Sequence, residues 1–463
     1  MLSINKIINK LFKRNEPVTV LGYGQELNRP RTDIVDIKIP DSFRKGHFWC
    51  FGTTRVGKTK LQELMIEQDI RKGNSVVVID PKIDHSLFAK IVQVAFEEGR
   101  HNELMLITPV FPDYSAIIDP LAYYFMPEEL VGHIVSGVEV GKEKFFFNVS
   151  YEISLAVVMG LLILAKNEGK APSFNLNDVK NKISRSELER LKVEIDSIDS
   201  HEARQLSLDI QKILDSPADY YGKVSSSLRV ALMELTTGNI GKIIGKADEN
   251  KFIKRLENNE RVILIVQTAS LLTRKASCTL GKVVVSMIQS FVGRVLASNR
   301  VITPPLCVYV DEAQSVLYHG IEEMFAKAGG AGLWMHGFCQ SVNQLYATIG
   351  QETGKVILDN TNTKVFMRVP DYETAEYVVE HFGEARRYSP ILSVGGGISM
   401  RQVEEPALKP SDVMNLPERK FYMMSYEGRY MGMTNDVEKQ YITVKFPNIN
   451  LDIKKEQKGE KEH

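Results

Sequence analysis

Two stretches of this chain alternate short apolar runs with segments of helical spacing, and the stretch between them does not. The run His47-Phe48-Trp49-Cys50-Phe51 is short enough for a buried strand. Behind it, residues 60–70 carry Leu61, Leu64, Met65 and Ile66 at near-helical spacing. The alternation continues with a strand at 75–79 that ends in Asp80-Pro81-Lys82, a helix around 87–98 and a strand at 104–108. From about 121 to 259 there are long helical patterns, few β-branched runs and a polar, charged section at 166–216. That section predicts an all-helical insertion. Alternation resumes with a strand at 262–266, a helix at 277–298 and strands at 305–310 and 332–338. Further strands are predicted at Lys364-Val365-Phe366-Met367 and Phe421-Tyr422-Met423-Met424. Strands separated by helices imply an α/β fold with a mostly parallel sheet covered on both faces.

The chemistry sits at the ends of those strands. Gly52-Thr53-Thr54-Arg55-Val56-Gly57-Lys58-Thr59 fits the phosphate-binding pattern G-x-x-x-x-G-K-[ST], between a predicted strand and a predicted helix. Its glycines let the backbone wrap closely around phosphates, and backbone N–H groups with the helix N-terminus supply partial positive charge. Lys58 adds a full charge, and the Thr59 hydroxyl is the expected Mg²⁺ ligand. A glycine turn capping an ordinary helix is the plainer alternative. The strand Pro305–Val310 delivers Asp311 and Glu312. Asp311 can anchor the Mg²⁺ shell, and Glu312 can orient or deprotonate an attacking water. Gln340 follows another buried strand, where an amide can sense a γ-phosphate or simply open a capped helix. Gly52, Asp80, Asp311 and Gln340 all fall at carboxyl ends of strands, where parallel sheets bind ligands. ATP with Mg²⁺ is the expected cofactor.

At 463 residues the chain is long enough for two domains or one elaborated α/β domain. The 58 basic and 58 acidic side chains balance, so any nucleic-acid role needs local patches. Cys50, Cys278, Cys307 and Cys339 are scattered, and read as small hydrophobes in a reducing cytosol. The longest apolar run, 153–165, is too short to span a bilayer and predicts a core helix. Residues 2–14 form a basic amphipathic segment without a signal-peptide core. It suits a membrane surface, a partner helix or an ordinary exposed helix. Residues 451–463 read as a disordered charged tail of mixed sign.

The chain resembles the TraD/TraG-type coupling proteins of conjugative type IV secretion, within the FtsK/HerA group of motor ATPases. It is most similar to the coupling factors of integrative conjugative elements. The resemblance rests on residues 52–59, Val78-Ile79-Asp80-Pro81-Lys82, Val310-Asp311-Glu312-Ala313-Gln314 and Gln340-Ser341. It continues through Asn360-Thr361-Asn362-Thr363, Arg368 with Asp371 and Thr374-Ala375-Glu376, and Asp412-Val413-Met414-Asn415-Leu416-Pro417. It implies a RecA-like P-loop NTPase at 41–120 and 260–450 and an all-α domain at 121–259, while residues 1–40 read as an N-terminal segment without a transmembrane helix. It also implies a ring of six on DNA that hydrolyses ATP between subunits and feeds a single strand, with its relaxase, to secretion-channel subunits. By motif match, Lys58, Glu312, Gln340 and Arg368 are the expected catalytic residues. Arg368 resembles an arginine finger reaching a neighbour's nucleotide, and a strand-end surface arginine is the alternative.

Most members begin with transmembrane helices. Nothing before His47 reads as a span, so membrane contact is expected through a partner or the basic segment, on the cytoplasmic face of the inner membrane. The segment before His47 is also expected to precede the first sheet strand. Arg386-Arg387-Tyr388 and Arg401 are candidate DNA contacts on a loop. A DNA translocase outside conjugation, a secretion ATPase acting on proteins and a slowly hydrolysing adaptor are the competing readings.

Overall fold

A computed structural model describes residues 16–27, 33–138, 145–244, 250–392 and 398–448. The basic segment 2–14 and the tail 451–463 lie outside the described residues. Eleven strands form one sheet. They are β1 (Val18–Glu26), β2 (Val35–Pro40), β3 (Phe48–Phe51), β4 (Ser75–Asp80), β5 (Leu104–Ile107), β6 (Ile263–Gln267), β7 (Leu306–Val310), β8 (Leu333–Cys339) and β9 (Thr363–Phe366), with two more near the C-terminal end. A separate two-stranded ribbon pairs β10 (Glu384–Leu392) with β11 (Ile398–Pro406). The last sheet strands are β12 (Lys420–Ser425) and β13 (Gly428–Thr434).

The spatial order is β2-β1-β13-β12-β9-β3-β8-β7-β4-β6-β5. From β9 to β5 all neighbours are parallel. From β9 outward to β2 they are antiparallel. Each parallel strand alternates its side chains between two apolar layers. Phe48, Cys50, Val76, Val78, Cys307 and Tyr309 join one layer, and Trp49, Phe51, Val77, Ile79, Val308 and Val310 join the other. Burial on both faces explains why these strands read as unbroken apolar runs. Helices Lys58–Arg71 and His85–Glu97 cover the first face, and Arg274–Ala297 lies in the second layer.

β1 corrects the expectation that the sheet begins at Phe48. Gly22 and Gly24 interrupt its apolar pattern, because a Cβ there would meet the Met433 and Met431 carbonyl oxygens at 2.0 and 2.1 Å. The strand can approach β13 only without those side chains. The expected loop carrying Arg386, Arg387 and Tyr388 is also corrected, since these residues belong to β10 and Ser389 pairs with Arg401 of β11.

The insertion is helical throughout its described residues, from Pro127–Ser136 to Lys251–Glu257. Ser184, Ser200 and Asn250 cap helix starts by accepting hydrogen bonds from backbone N–H groups. The run at 153–165 belongs to the 23-residue helix Phe145–Asn167, longer than its apolar stretch suggested. This helix and Arg274–Ala297 are, among the described residues, long and apolar enough to cross a membrane by length and composition. Both are also packed into the fold. On Phe145–Asn167, Ser150 and Ser154 are buried, and a Cβ on Gly160 would stand 2.8 Å from Leu191.

A buried polar cluster ties the helix after the phosphate loop to the sheet. Arg44 donates to both Asp69 oxygens at 2.6 Å, to Thr19 Oγ1 at 2.9 Å and to the Tyr309 hydroxyl at 3.0 Å. The Arg44 guanidinium also lies 4.7 Å from the Trp334 ring centroid. Burial opposes ionisation of Asp69, but Arg44 outweighs it and holds the carboxyl well below the usual range. After β13, residues 435–448 cross back over helix His85–Glu97, where Phe446 stacks on Phe88 and Phe111 at 5.4 and 5.0 Å.

Candidate nucleotide site

Parallel strands β3, β8, β7 and β4 stand side by side, so their carboxyl ends form one edge. That edge receives the phosphate loop after β3, Gln340 after β8, Asp311 and Glu312 after β7, and Asp80 at the end of β4. Gln340, half-buried, therefore follows the strand between the loop and the acid pair.

The loop is shaped by backbone demands that few side chains meet. Gly57 has φ 106, and Lys58 opens the helix behind it. A Cβ on Gly52 would press 2.9 Å from Met367 Cβ and 3.0 Å from Val56 Cγ2. Arg55 sits at φ 59, Thr54 and Arg55 are exposed, and Val56 is buried. Thr53 N donates to Arg368 O at 2.7 Å, and Gly52 N to Cys339 O at 3.1 Å. Lys58 Nζ donates to Gly52 O at 2.5 Å and Thr53 O at 2.8 Å. Burial pulls the Lys58 pKa below its ordinary value, while Asp311 is among the groups that push it up. Thr59, half-buried, is the second helical residue, at the end where free N–H groups gather.

The acid pair is held differently. Asp311 Oδ1 accepts from Glu312 N at 2.9 Å, and Glu312 takes the left-handed conformation with φ 46. Lys82 Nζ lies 2.9 Å from Asp311 Oδ2 and 3.3 Å from Glu312 Oε1. Desolvation opposes the Lys82 charge, but Asp311 and Glu312 outweigh it and raise the pKa. Burial lifts the Asp80 carboxyl to about 6, although its oxygens accept from Lys82 N and Asp84 N at 2.9 and 2.6 Å. Ile83, Ala269 and Arg419 add further positive-φ residues around this edge. Such conformations cost on the order of 1–3 kcal/mol each and gather where function constrains the backbone.

Arg368 is exposed, with Nε donating to Leu416 O at 2.7 Å. Its backbone borders the phosphate loop of its own chain through the Thr53 bond. Sequence reasoning left the turn at 416–419 without a role. There Arg419 N donates to Val56 O at 2.8 Å, and the Arg419 side chain stacks against Gly57. Lys82 carries no task in the sequence reading, and the fold brings it into contact with both acids. The signal available was its place two residues after a strand-end aspartate.

A family model described as the TraM recognition site of TraD and TraG matches residues 305–418. No curated protein matches the sequence. Among solved structures, the fold is similar to that of the bacterial conjugative coupling protein TrwBdeltaN70 in its trigonal form with sulphate. That similarity has a TM-score of 0.64 and 15% identity, covering 92% of this chain and 96% of that chain. The plasmid coupling protein TrwB in complex with the ATP analogue ADPNP gives 0.62 and 16%, covering 91% and 96%. VirB4 of Thermoanaerobacter pseudethanolicus gives 0.53 and 13%, covering 90% and 96%. At these identities the likeness is one of fold, a RecA-like sheet with a helical insertion. The resemblance to TraD/TraG-type coupling proteins recurs in this fold and in the matched segment.

Proposed function

We propose that this chain, which shares the fold of TrwB and the TraD/TraG segment at 305–418, is an ATP-driven DNA motor serving a type IV secretion channel in conjugation. The observation that carries the reading is the single sheet edge on which a glycine-shaped loop, an ammonium and two carboxylates converge. The donor set fits a magnesium nucleotide, because the helix behind the loop presents free N–H groups, Lys58 adds a cation at its first position, and Asp311 and Glu312 supply carboxylates on the same edge. Thr59 and Asp311 would hold Mg²⁺, which when bound would supply charge that stabilises the transferring phosphoryl group. Residues 52–59 cradle the phosphates, with Lys58 aimed at the terminal ones. Glu312 accepts the proton of the attacking water, and Gln340 reports the state of the site to the helix it precedes. Arg368 reaches the nucleotide of a neighbour in a ring of six.

The domain reading follows the same lines. Residues 18–120 and 260–450 form the motor, since β1 and β2 belong to its sheet, and 121–259 form the all-α domain. The partners are single-stranded DNA with its relaxase, and channel subunits that bring the motor to the cytoplasmic face of the inner membrane. DNA contact comes from patches on a neutral chain, among them Arg386, Arg387, Tyr388 and Arg401 on the β10–β11 ribbon. Binding is therefore expected to be tolerant of sequence and to weaken with salt. The test is transfer of a conjugative element whose own coupling gene is deleted. Wild type is expected to restore transfer of DNA, and Lys58→Ala is not. Restored secretion of protein substrates without DNA transfer would favour a protein-secretion ATPase instead.

A further inference from the structure

Lys82 can move its ammonium and little else. Asp80 Oδ1 accepts from Lys82 N at 2.9 Å, and Asp80 Oδ2 accepts from Asp84 N at 2.6 Å. Pro81 O accepts from Ser270 N at 2.9 Å and Ser270 Oγ at 3.0 Å, and Ile83 is locked at φ 60. The backbone at 80–84 is pinned on both sides, while the Lys82 side chain is 42% exposed and has water to swing into.

Its resting place is the acid pair. The Asp311 carboxylate is 9% exposed, and both its oxygens are engaged, Oδ1 by Glu312 N at 2.9 Å and Oδ2 by Lys82 Nζ at 2.9 Å. The same ammonium lies 3.3 Å from Glu312 Oε1. Lys58 does not share this task, since its Nζ rests on the carbonyls of Gly52 and Thr53. One mobile cation thus masks both the metal anchor and the base.

We propose that Lys82 is a built-in counter-ion for Asp311 and Glu312, which a divalent cation must displace from Asp311, so that Lys82 sets the magnesium requirement of the site. This rests on the magnesium-nucleotide reading above. Lys82 occupies the Asp311 oxygen that Glu312 N leaves open, and an ammonium and a divalent cation brought to ion-pair distance on one carboxylate repel. Until the metal arrives, the ion pair also keeps Glu312 from acting as a base on stray water.

The test is ADP binding by calorimetry across a Mg²⁺ series. Lys82→Met keeps most of the stem and removes the charge. Its half-saturating Mg²⁺ concentration is expected to fall by roughly three- to tenfold, the effect of losing a half-exposed ion pair and its repulsion of a divalent ion. Lys82→Arg keeps the cation and should stay near wild type. In an Asp311→Asn background, Lys82→Met should add no further fall. An unchanged or higher Mg²⁺ requirement in Lys82→Met overturns the proposal, and weaker ADP binding at saturating Mg²⁺ would make Lys82 a phosphate ligand instead. Wild type that binds no ADP at any Mg²⁺ concentration overturns the nucleotide reading itself, and this proposal with it.

Discussion

Gly57→Ala places one methyl group where the phosphate loop has least freedom. Gly57 sits at φ 106 and ψ 10, and a Cβ would stand 3.1 Å from Arg419 Cγ and 3.4 Å from Arg419 Cα. An L-residue in the left-handed region costs about 1–2 kcal/mol, and Gly57 lies well beyond the centre of that region. Arg419 cannot yield easily. Its N–H is bonded to Val56 O at 2.8 Å, and its guanidinium is held by Asp436 and Thr434 at 2.6 and 2.7 Å. If the loop relieves about 2 kcal/mol by turning away from its phosphate-binding shape, nucleotide affinity falls about thirtyfold. Gly99→Ala is the matched control, since Gly99 has φ 67 and nothing within 4 Å of its Cβ position. It should cost about 1 kcal/mol of stability and leave affinity alone. Calorimetric titration with MgADP and urea unfolding of both variants separate the two effects. Binding by Gly57→Ala within about twofold of wild type, or equal weakening by Gly99→Ala, would refute the argument from loop geometry.

Three further outcomes are expected. Arg368→Ala should bind ATP and hydrolyse poorly, and mixing it with Lys58→Ala should restore turnover if the arginine serves a neighbour; an inactive mixture of co-assembled variants returns Arg368 to the surface. Asp69→Ala leaves Arg44 buried without its carboxylate, and urea unfolding should show a loss of about 3–5 kcal/mol, with the double change Asp69→Leu and Arg44→Met less harmful than either half. Burial lowers the His133 pKa to about 4, so the unfolded chain takes up that proton first and the stability present above pH 6.5 is lost as pH falls towards 4. His133→Gln should therefore flatten the pH dependence of unfolding over that window by up to about 3 kcal/mol, and an unchanged slope would count against a neutral buried His133.

The parallel half of the sheet was legible because its strands are buried on both faces, as Val76 to Ile79 show. The same strands carried the phosphate loop and the acid pair, whose chemistry depends on residue type and place. The antiparallel half was harder to read. β1 is broken by Gly22 and Gly24 for the sake of its neighbour's backbone, and β10 and β11 mix Arg, Glu and Pro into a ribbon outside the main sheet. The contacts of Lys82 and Arg419 were hidden from the sequence for a different reason, although the place of Lys82 after a strand-end aspartate marked it. Their roles come from residues far along the chain, Asp311 for one and Val56 for the other, and only the folded edge brings them together.

The central claim, a nucleotide-driven DNA motor, is tested most directly by ATP turnover with and without single-stranded DNA, comparing wild type with Glu312→Gln over a range of protein concentrations. Wild type should turn over ATP faster with DNA and more than linearly with concentration, while Glu312→Gln binds ATP and stays inactive. Turnover indifferent to DNA, or retained by Glu312→Gln, would contradict the account.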